Sequence, residues 1–221
     1  MNKIKKALIS VYNKKNLKPL LKSLKKNKIE IISSGGTYKE IKKLGFACTE
    51  VSDYTGSAEI LGGRVKTLHP KIHAGILNKR SNKLHNRDLI RNNYENIDLV
   101  IVNFYPFEDT LNNTSNHKKI IENIDIGGPT MVRAAAKNYD DVTIITSSSQ
   151  YEELISELSK FRGSTSKIFR EKMSQIAFTE TAYYDALISN YLTNINKNNF
   201  TRKKIFYENL IKKLRYGENP H

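Results

Sequence analysis

From Asp98 to Phe107 the chain reads Asp98-Leu99-Val100-Ile101-Val102-Asn103-Phe104-Tyr105-Pro106-Phe107, an almost unbroken apolar run closed by a proline. A strand with one wet face would alternate apolar and polar residues. A run without alternation belongs to a strand covered on both faces, as in parallel sheets. Parallel neighbours cannot be joined by a hairpin, so the rest of the chain must supply helical crossovers.

It does so repeatedly. Ala7-Leu8-Ile9-Ser10-Val11 is a short apolar run, followed over residues 15–26 by Leu17, Leu20, Leu21 and Leu24 at the spacing of one helical face. Ile29–Ser33 predicts a second strand. Ser34-Gly35-Gly36-Thr37 then turns into a helix that stops at Gly45, a residue suited to a helix C-terminus. Phe46–Val51 predicts a third, shorter strand, and residues 79–96 an exposed helix with a connection. After the apolar run, Asn116–Asn123 reads as helix. Asp125-Ile126-Gly127-Gly128-Pro129-Thr130 is a tight turn opening a helix over Met131–Asn138, with Pro129 in the first turn, where its missing N–H is not needed. Val142–Thr146 is the fifth strand candidate, and 150–161 and 167–192 are helical. This β-α order predicts an α/β fold, a parallel sheet with helices on both faces. Ligands of such sheets bind beyond the carboxyl ends of the strands.

One stretch is built for an anion. In Gly62-Gly63-Arg64-Val65-Lys66-Thr67-Leu68-His69-Pro70, adjacent glycines allow a tight turn, and Arg64 and Lys66 put two cations beside Thr67. It is not a nucleotide-binding P-loop, which needs glycine directly before the Lys-Thr pair, where this chain has Val65. The Ser34–Thr37 turn offers hydroxyls and free amides at a helix N-terminus, where the helix dipole favours an anion.

The net charge of +15 agrees with an anionic ligand but does not choose between phosphorylated metabolites and nucleic acid. Lysines are scattered through many segments and no nucleic-acid motif accompanies them, so most of this charge reads as solvated surface. Cys48 is the only cysteine, which excludes an internal disulfide and a cysteine-based zinc site, and reads as a small buried hydrophobe in a reducing cytosol. No run approaches the ~20 apolar residues of a membrane span, and the apolar run near the N-terminus is too short for a signal-peptide core. His69 and His73 are spaced i, i+4, but no glutamate lies between them in the zinc-protease pattern and no third ligand is evident. A length of 221 residues with 38% hydrophobic content allows one main domain and an appendage.

Leu-Gly-Gly-Arg-Val-Lys-Thr-Leu-His-Pro over 61–70, Asn103–Phe107, Asp125–Gly128 with Arg133–Asn138, and the ending from Arg215 to His221 together carry a resemblance. From residue 7 to about 195 the chain resembles the N-terminal IMP cyclohydrolase domain of the bifunctional AICAR transformylase/IMP cyclohydrolase family of purine biosynthesis. The resemblance implies a methylglyoxal synthase-like parallel sheet flanked by helices, with additional C-terminal helices. It implies a cyclohydrolase domain over 1–195, and over 196–221 a linker and the truncated start of a transformylase domain, so that formyl transfer is not expected. The implied reaction closes 5-formamidoimidazole-4-carboxamide ribotide (FAICAR) to inosine monophosphate (IMP) in the cytoplasm, as a homodimer. No cofactor, metal, nucleic acid or membrane is implied.

An amide nitrogen is a poor nucleophile and a formamide a poor electrophile, so alignment and preorganised charge must lower the barrier. On this resemblance Lys66 stabilises the oxyanion developing on the formyl oxygen. Asp125 and Lys137 form a carboxylate and ammonium pair that positions the carboxamide and moves its proton, and Tyr105 supplies a hydroxyl to the same group. Ser10, Lys14, Ser34, Gly36 and Thr37 hold the phosphate with Arg64 and Thr67 nearby, while Asn103, Ile126 and Gly127 border the base. Tyr12-Asn13 departs from the small residue and Asp usual before Lys14. Ala58, Phe104 and Tyr139 replace a common proline, leucine and histidine.

Plainer uses compete for each position. Tyr105 before Pro106 could cap the core, Asp125 could be a helix N-cap, and Lys137 could answer the helix dipole. The aromatics Phe169, Phe178, Tyr183, Tyr184 and Tyr191 have helical spacing and read as core or a subunit contact, with no chemistry. The rival function is a non-catalytic module that senses phosphorylated metabolites. It would need the phosphate residues but not Lys66, Tyr105, Asp125 and Lys137 together.

Overall fold

The computed structural model describes residues 3–195, 202–203 and 205–208. The sheet is wholly parallel, in the order β3-β2-β1-β4-β5, built from β1 (Lys6–Val11), β2 (Glu30–Ser33), β3 (Thr49–Glu50), β4 (Leu99–Asn103) and β5 (Thr143–Ile145). Between them run α1 (Leu17–Lys26), α2 (Gly35–Lys43), α3 (Val51–Thr55), α4 (Pro70–Leu77), α5 (Lys83–Arg91), α6 (Phe107–Asn113), α7 (His117–Glu122) and α8 (Gly127–Lys137). After β5 come α9 (Tyr151–Lys160) and the long α10 (Lys167–Ile195).

The central strands behave as the apolar runs require. Ala7, Leu8 and Ile9 of β1 and Leu99 and Val100 of β4 are wholly buried. In α1 the same four leucines that set the helical period, Leu17, Leu20, Leu21 and Leu24, are the buried ones. Each such side chain contributes roughly 1.5–3 kcal/mol by leaving water, which more than offsets the indifferent propensity of a lysine-rich helix. Right-handed crossovers set α1 with α9 on one face of the sheet, and α4, α8 and α10 against one another on the other.

Successive strands are added on one side of β1 as far as β3, and then the chain crosses back to lay down β4 on the other side. The C-terminal ends of β1 and β4 therefore flank the point where the order reverses, the place for a ligand crevice in such sheets. A second apolar cluster lies beside it. Phe107, Ile120, Tyr184 and Leu187 are buried together, with Phe104, Leu111 and Tyr191 packed around them, so α6 and α7 are held on α10 rather than on the sheet.

Three local expectations differ from what forms. Of the strand expected over Phe46–Val51, only Thr49–Glu50 pairs with β2, and Val51 already begins α3. This is the sheet edge, where Phe46 and Cys48 pack against the core through their side chains without joining the ladder. The basic loop ends in a helix, α4, which starts with Pro70 at its first position and takes His69 as its cap, the His69 Nδ1 accepting from the Lys71 N–H at 3.1 Å. Phe107, read as the end of a strand, instead opens α6, with β4 ending at Asn103.

Candidate functional site

The turn at Gly62-Gly63 is tighter than composition alone suggests. Leu61, Gly62 and Gly63 all take positive φ, 53°, 61° and 93° in order, and Ile60 and Val65 close the turn with an antiparallel bridge. Next outward from a bridged pair, residues 59 and 66 face each other. Glu59 and Lys66 do so, Nζ to Oε1 at 2.8 Å. Glycine suits position 63 because φ of 93° strains any residue with a Cβ, and a Cβ there would also press on the ends of the Glu59 and Lys66 side chains. Glu59 was not anticipated, although the spacing of Ile60 and Val65 around the glycines contained the signal. The pair is partly exposed, so it contributes at most about 1 kcal/mol. Glu59→Gln is expected to move the melting temperature by no more than about 4 °C in calorimetry. A larger drop would make the pair a structural anchor.

The Lys66 ammonium lies over the N-terminus of α2, 3.3 Å from where a Cβ on Gly35 would sit. This helix start is uncapped: the Ser34 hydroxyl makes no capping bond, which leaves first-turn amides pointing outward. Thr37 is buried and its hydroxyl both accepts from the Val11 N–H (3.0 Å) and donates to the Val11 carbonyl (2.9 Å), locking the end of β1 to α2. The exposed Lys14 reaches over Gly36 while its ammonium donates to the Tyr12 carbonyl at 3.2 Å, and Ser10, half-buried, lies near the end of β1. Ser10, Lys14, Ser34, Gly36 and Thr37 thus lie along one rim. Asn103, on the border of a cavity, also has a structural use. Its Oδ1 accepts from the Tyr12 and Asn13 N–H groups (2.7 and 3.0 Å) and its Nδ2 donates to the Asn13 carbonyl, so it holds the turn that presents Lys14.

Thr67 makes the second connection. It is buried, and a Cβ on Gly127 would lie 2.8 Å from its Oγ1, so the first glycine of α8 is what lets the two segments touch. His73 of α4 braces the same loop through a hydrogen bond to the Thr67 backbone, and burial pushes its pKa below the ordinary value. The histidine pair therefore serves helix and loop.

At the start of α8, Asp125 Oδ1 accepts from the Gly128 N–H at 2.9 Å, and the Tyr105 N–H also reaches this carboxylate. Burial pushes the Asp125 carboxyl above its ordinary value, against the opposing pull of these two amides. The Tyr105 side chain is half exposed, its ring edge-on to Tyr12 with centroids 5.5 Å apart. Ile126 is exposed at the helix cap. The Asp125 N–H is in turn held by the Tyr184 hydroxyl at 2.8 Å, a contact that helical periodicity in α10 could not reveal.

Two expected placements do not form. Asp125 and Lys137 lie at opposite ends of α8, and at about 1.5 Å per residue the helix separates them by ~15 Å, beyond the reach of a lysine side chain. Asn138 fixes that far end by donating to the Ile76 and Asn78 carbonyls (2.8 and 2.9 Å), at the end of α4. The Arg64 guanidinium is paired with Glu122 of α7, its Nε donating at 3.2 Å, instead of being turned to the rim near Ser34.

Two cavities flank the rim. One of about 310 Å³ is bordered by Ser34, Gly35, Glu59 and Lys66, and the other, about 450 Å³, by Tyr12, Lys14, Asn103 and Thr146. Three glycine-rich segments thus meet on two adjacent residues: Lys66 faces the anion-ready start of α2, and Thr67 faces the turn carrying Asp125. Among the described residues no cluster of three or more His, Cys, Asp or Glu side chains could hold a metal, and no helix is long and apolar enough to cross a membrane.

Comparison with known proteins places the chain among relatives. Residues 16–130 match the model of the MGS-like domain family, and residues 135–221 match that of the AICARFT/IMPCHase bienzyme. Bifunctional purine biosynthesis protein PurH of Prochlorococcus marinus is 49% identical over 218 residues, covering 97% of this chain and 41% of the relative. PurH of Dinoroseobacter shibae is 44% identical, with 99% of this chain and 41% of the relative covered. The chain thus spans about two fifths of the length of these relatives. The crystal structure of ForH superposes with a TM-score of 0.76 at 28% identity, covering 86% of this chain and 99% of that one.

Proposed function

Since the chain belongs to the MGS-like domain family, we propose that it closes a purine ring as the IMP cyclohydrolase unit of a PurH-type bifunctional enzyme. The domain limits follow from the same reading: residues 1–195 form the cyclohydrolase domain and 196–221 lead into a transformylase domain. Most of those last residues lie outside the described ones. A homodimer acting in the cytoplasm on FAICAR, without metal or cofactor, completes the proposal.

The observation that carries it is the meeting of the three glycine segments at Lys66 and Thr67. A phosphate held on the amides of Gly36 and Thr37 and the ammonium of Lys14 leaves the heterocycle running across Lys66 toward Asp125. Ring closure forms a bond from the carboxamide nitrogen to the formyl carbon and turns the formyl oxygen into an oxyanion. The Lys66 ammonium stabilises that charge where it appears. The attacking nitrogen gives its proton to Asp125, which burial has made more basic than an ordinary aspartate. Tyr105 donates a hydrogen bond to the carboxamide. Protonation of the oxyanion and loss of water then leave the aromatic purine. With ~15 Å of helix between it and Asp125, Lys137 has no part in this scheme within one chain.

The test is to mix the purified chain with the formamido ribotide, with no folate or metal added, and to follow purine absorbance. Ring closure above the uncatalysed rate is expected. Tight binding of the ribotide with no ring closure would leave the sensing module as the function.

A further inference from the structure

We infer that Tyr184 is a positioning residue, which holds Asp125 and Tyr105 in working register from outside the α/β core. The inference rests on the ring-closing reading above. Three observations carry it. Tyr184 is 5% exposed, and its hydroxyl accepts from the Asp125 N–H at 2.8 Å. Its ring packs against Phe104 and Phe107 with centroids 5.0 and 6.0 Å away, so it grips the residues on both sides of Tyr105. The Asp125 carboxylate and the Tyr105 N–H then close the triangle.

One side chain of α10 therefore fixes two segments about twenty residues apart, the loop after β4 and the turn before α8. Phe104, Tyr105 and Asp125 lie outside any strand or helix, and Phe107 only opens α6. The Tyr184 hydroxyl is suited to this. Burial pushes its pKa up to about 12, so it stays a neutral phenol over the working pH range. It offers the Asp125 N–H an acceptor without placing a second charge beside the carboxylate.

Removing that oxygen leaves a partly buried N–H without its partner, and the turn is expected to shift to find water. A displacement of about 1 Å at reacting groups can cost up to ~10²-fold in rate, and the ring contacts that remain should limit the loss to about 10-fold. Because the phosphate rim lies elsewhere, KM for the ribotide should stay within about 2-fold, and kcat should carry the effect. Water admitted at the turn lessens the desolvation of Asp125, so the acid limb of the kcat profile should move to lower pH.

The experiment compares wild type, Tyr184→Phe and Tyr183→Phe in the ring-closing assay across pH, with circular dichroism to confirm folding. Tyr183 lies next in the helix, its hydroxyl donating to Glu108 at 3.1 Å, and should leave both kcat and the acid limb unchanged. A folded Tyr184→Phe with wild-type kcat and acid limb overturns the inference, even if its melting temperature falls. Should Tyr184→Phe not fold, Phe104→Ala loosens the same grip with the hydroxyl retained, and a smaller change in the same sense is expected; no change overturns the inference. If the wild-type chain itself closes no ring, the functional reading fails. In that case a ¹³C titration of the Asp125 carboxyl still decides the matter, since an identical pKa in wild type and Tyr184→Phe overturns positioning.

Discussion

Lys66→Ala is expected to lower the turnover of FAICAR by roughly 10²-fold or more, the scale of losing one preorganised oxyanion stabiliser, with the protein still folded. The two halves of this expectation have separate causes. Lys66 is partly exposed and its ion pair with Glu59 is a surface pair between cross-strand neighbours, so its removal takes little from the fold. On the proposed mechanism its place over the start of α2 and beside Thr67 is what the chemistry uses, while Lys14 lies one residue further along the helix, over Gly36. In the proposed binding mode the ribotide phosphate is held mainly by Lys14 and the α2 amides, so KM should rise far less than kcat falls. Steady-state kinetics and a thermal melt on the same preparation check both halves. A folded variant with wild-type turnover would remove Lys66 from the mechanism. A variant with unchanged kcat and a greatly raised KM would make it a phosphate ligand instead.

The parts of this site that could be read in advance are those whose physics is local. The run from Leu99 to Val102 could only be a strand covered on both faces, the leucines of α1 could only share one side of a helix, and Gly62-Gly63 demanded a turn. Hence the sheet, its helices and the position of Lys66 followed from the chain. Where distant segments decide, local pattern fails. Phe107-Glu108-Asp109-Thr110-Leu111-Asn112-Asn113 is a poor helix by propensity, and it forms because Phe107 is buried against α10. Phe46 and Cys48 look like strand residues but lie at an edge where packing does not require a ladder. Family resemblance brought Asp125 and Lys137 together as a pair, and the length of α8 parts them. Glu122 went unmarked and Tyr184 read only as core or a subunit contact for the opposite reason: nothing within their own helices marks them as partners of Arg64 and of Asp125.

Asp125→Asn should change activity and stability in opposite senses. If Asp125 accepts the carboxamide proton, as proposed, its loss should remove a general-base contribution of roughly 10²-fold or more, since an amide cannot take its place. Stability follows from linkage. The native carboxyl titrates above the ordinary aspartate value of 3.8 because burial penalises the charged form. A group raised in this way contributes stability that is fully present below the unfolded pKa and lost as pH rises through the folded one. At neutral pH the wild-type protein therefore carries the cost of a buried carboxylate. Asparagine carries no such cost, while its Oδ1 can still accept from the Gly128 N–H. The variant is expected to melt no lower than wild type at pH 7, and any advantage should shrink as the pH falls through the raised Asp125 pKa toward the ordinary value of 3.8. The same titration sets the activity profile: wild-type kcat should climb with pH through the raised Asp125 pKa, and the residual activity of the variant should be flat there. Thermal melts from pH 4 to 8 alongside rate profiles test the pair of claims. Wild-type turnover in the variant would end the general-base role. A loss of stability at pH 7 that persisted in acid would mean that the hydrogen bonds to Gly128 and Tyr105 outweigh the buried charge, and that Asp125 is first a helix cap.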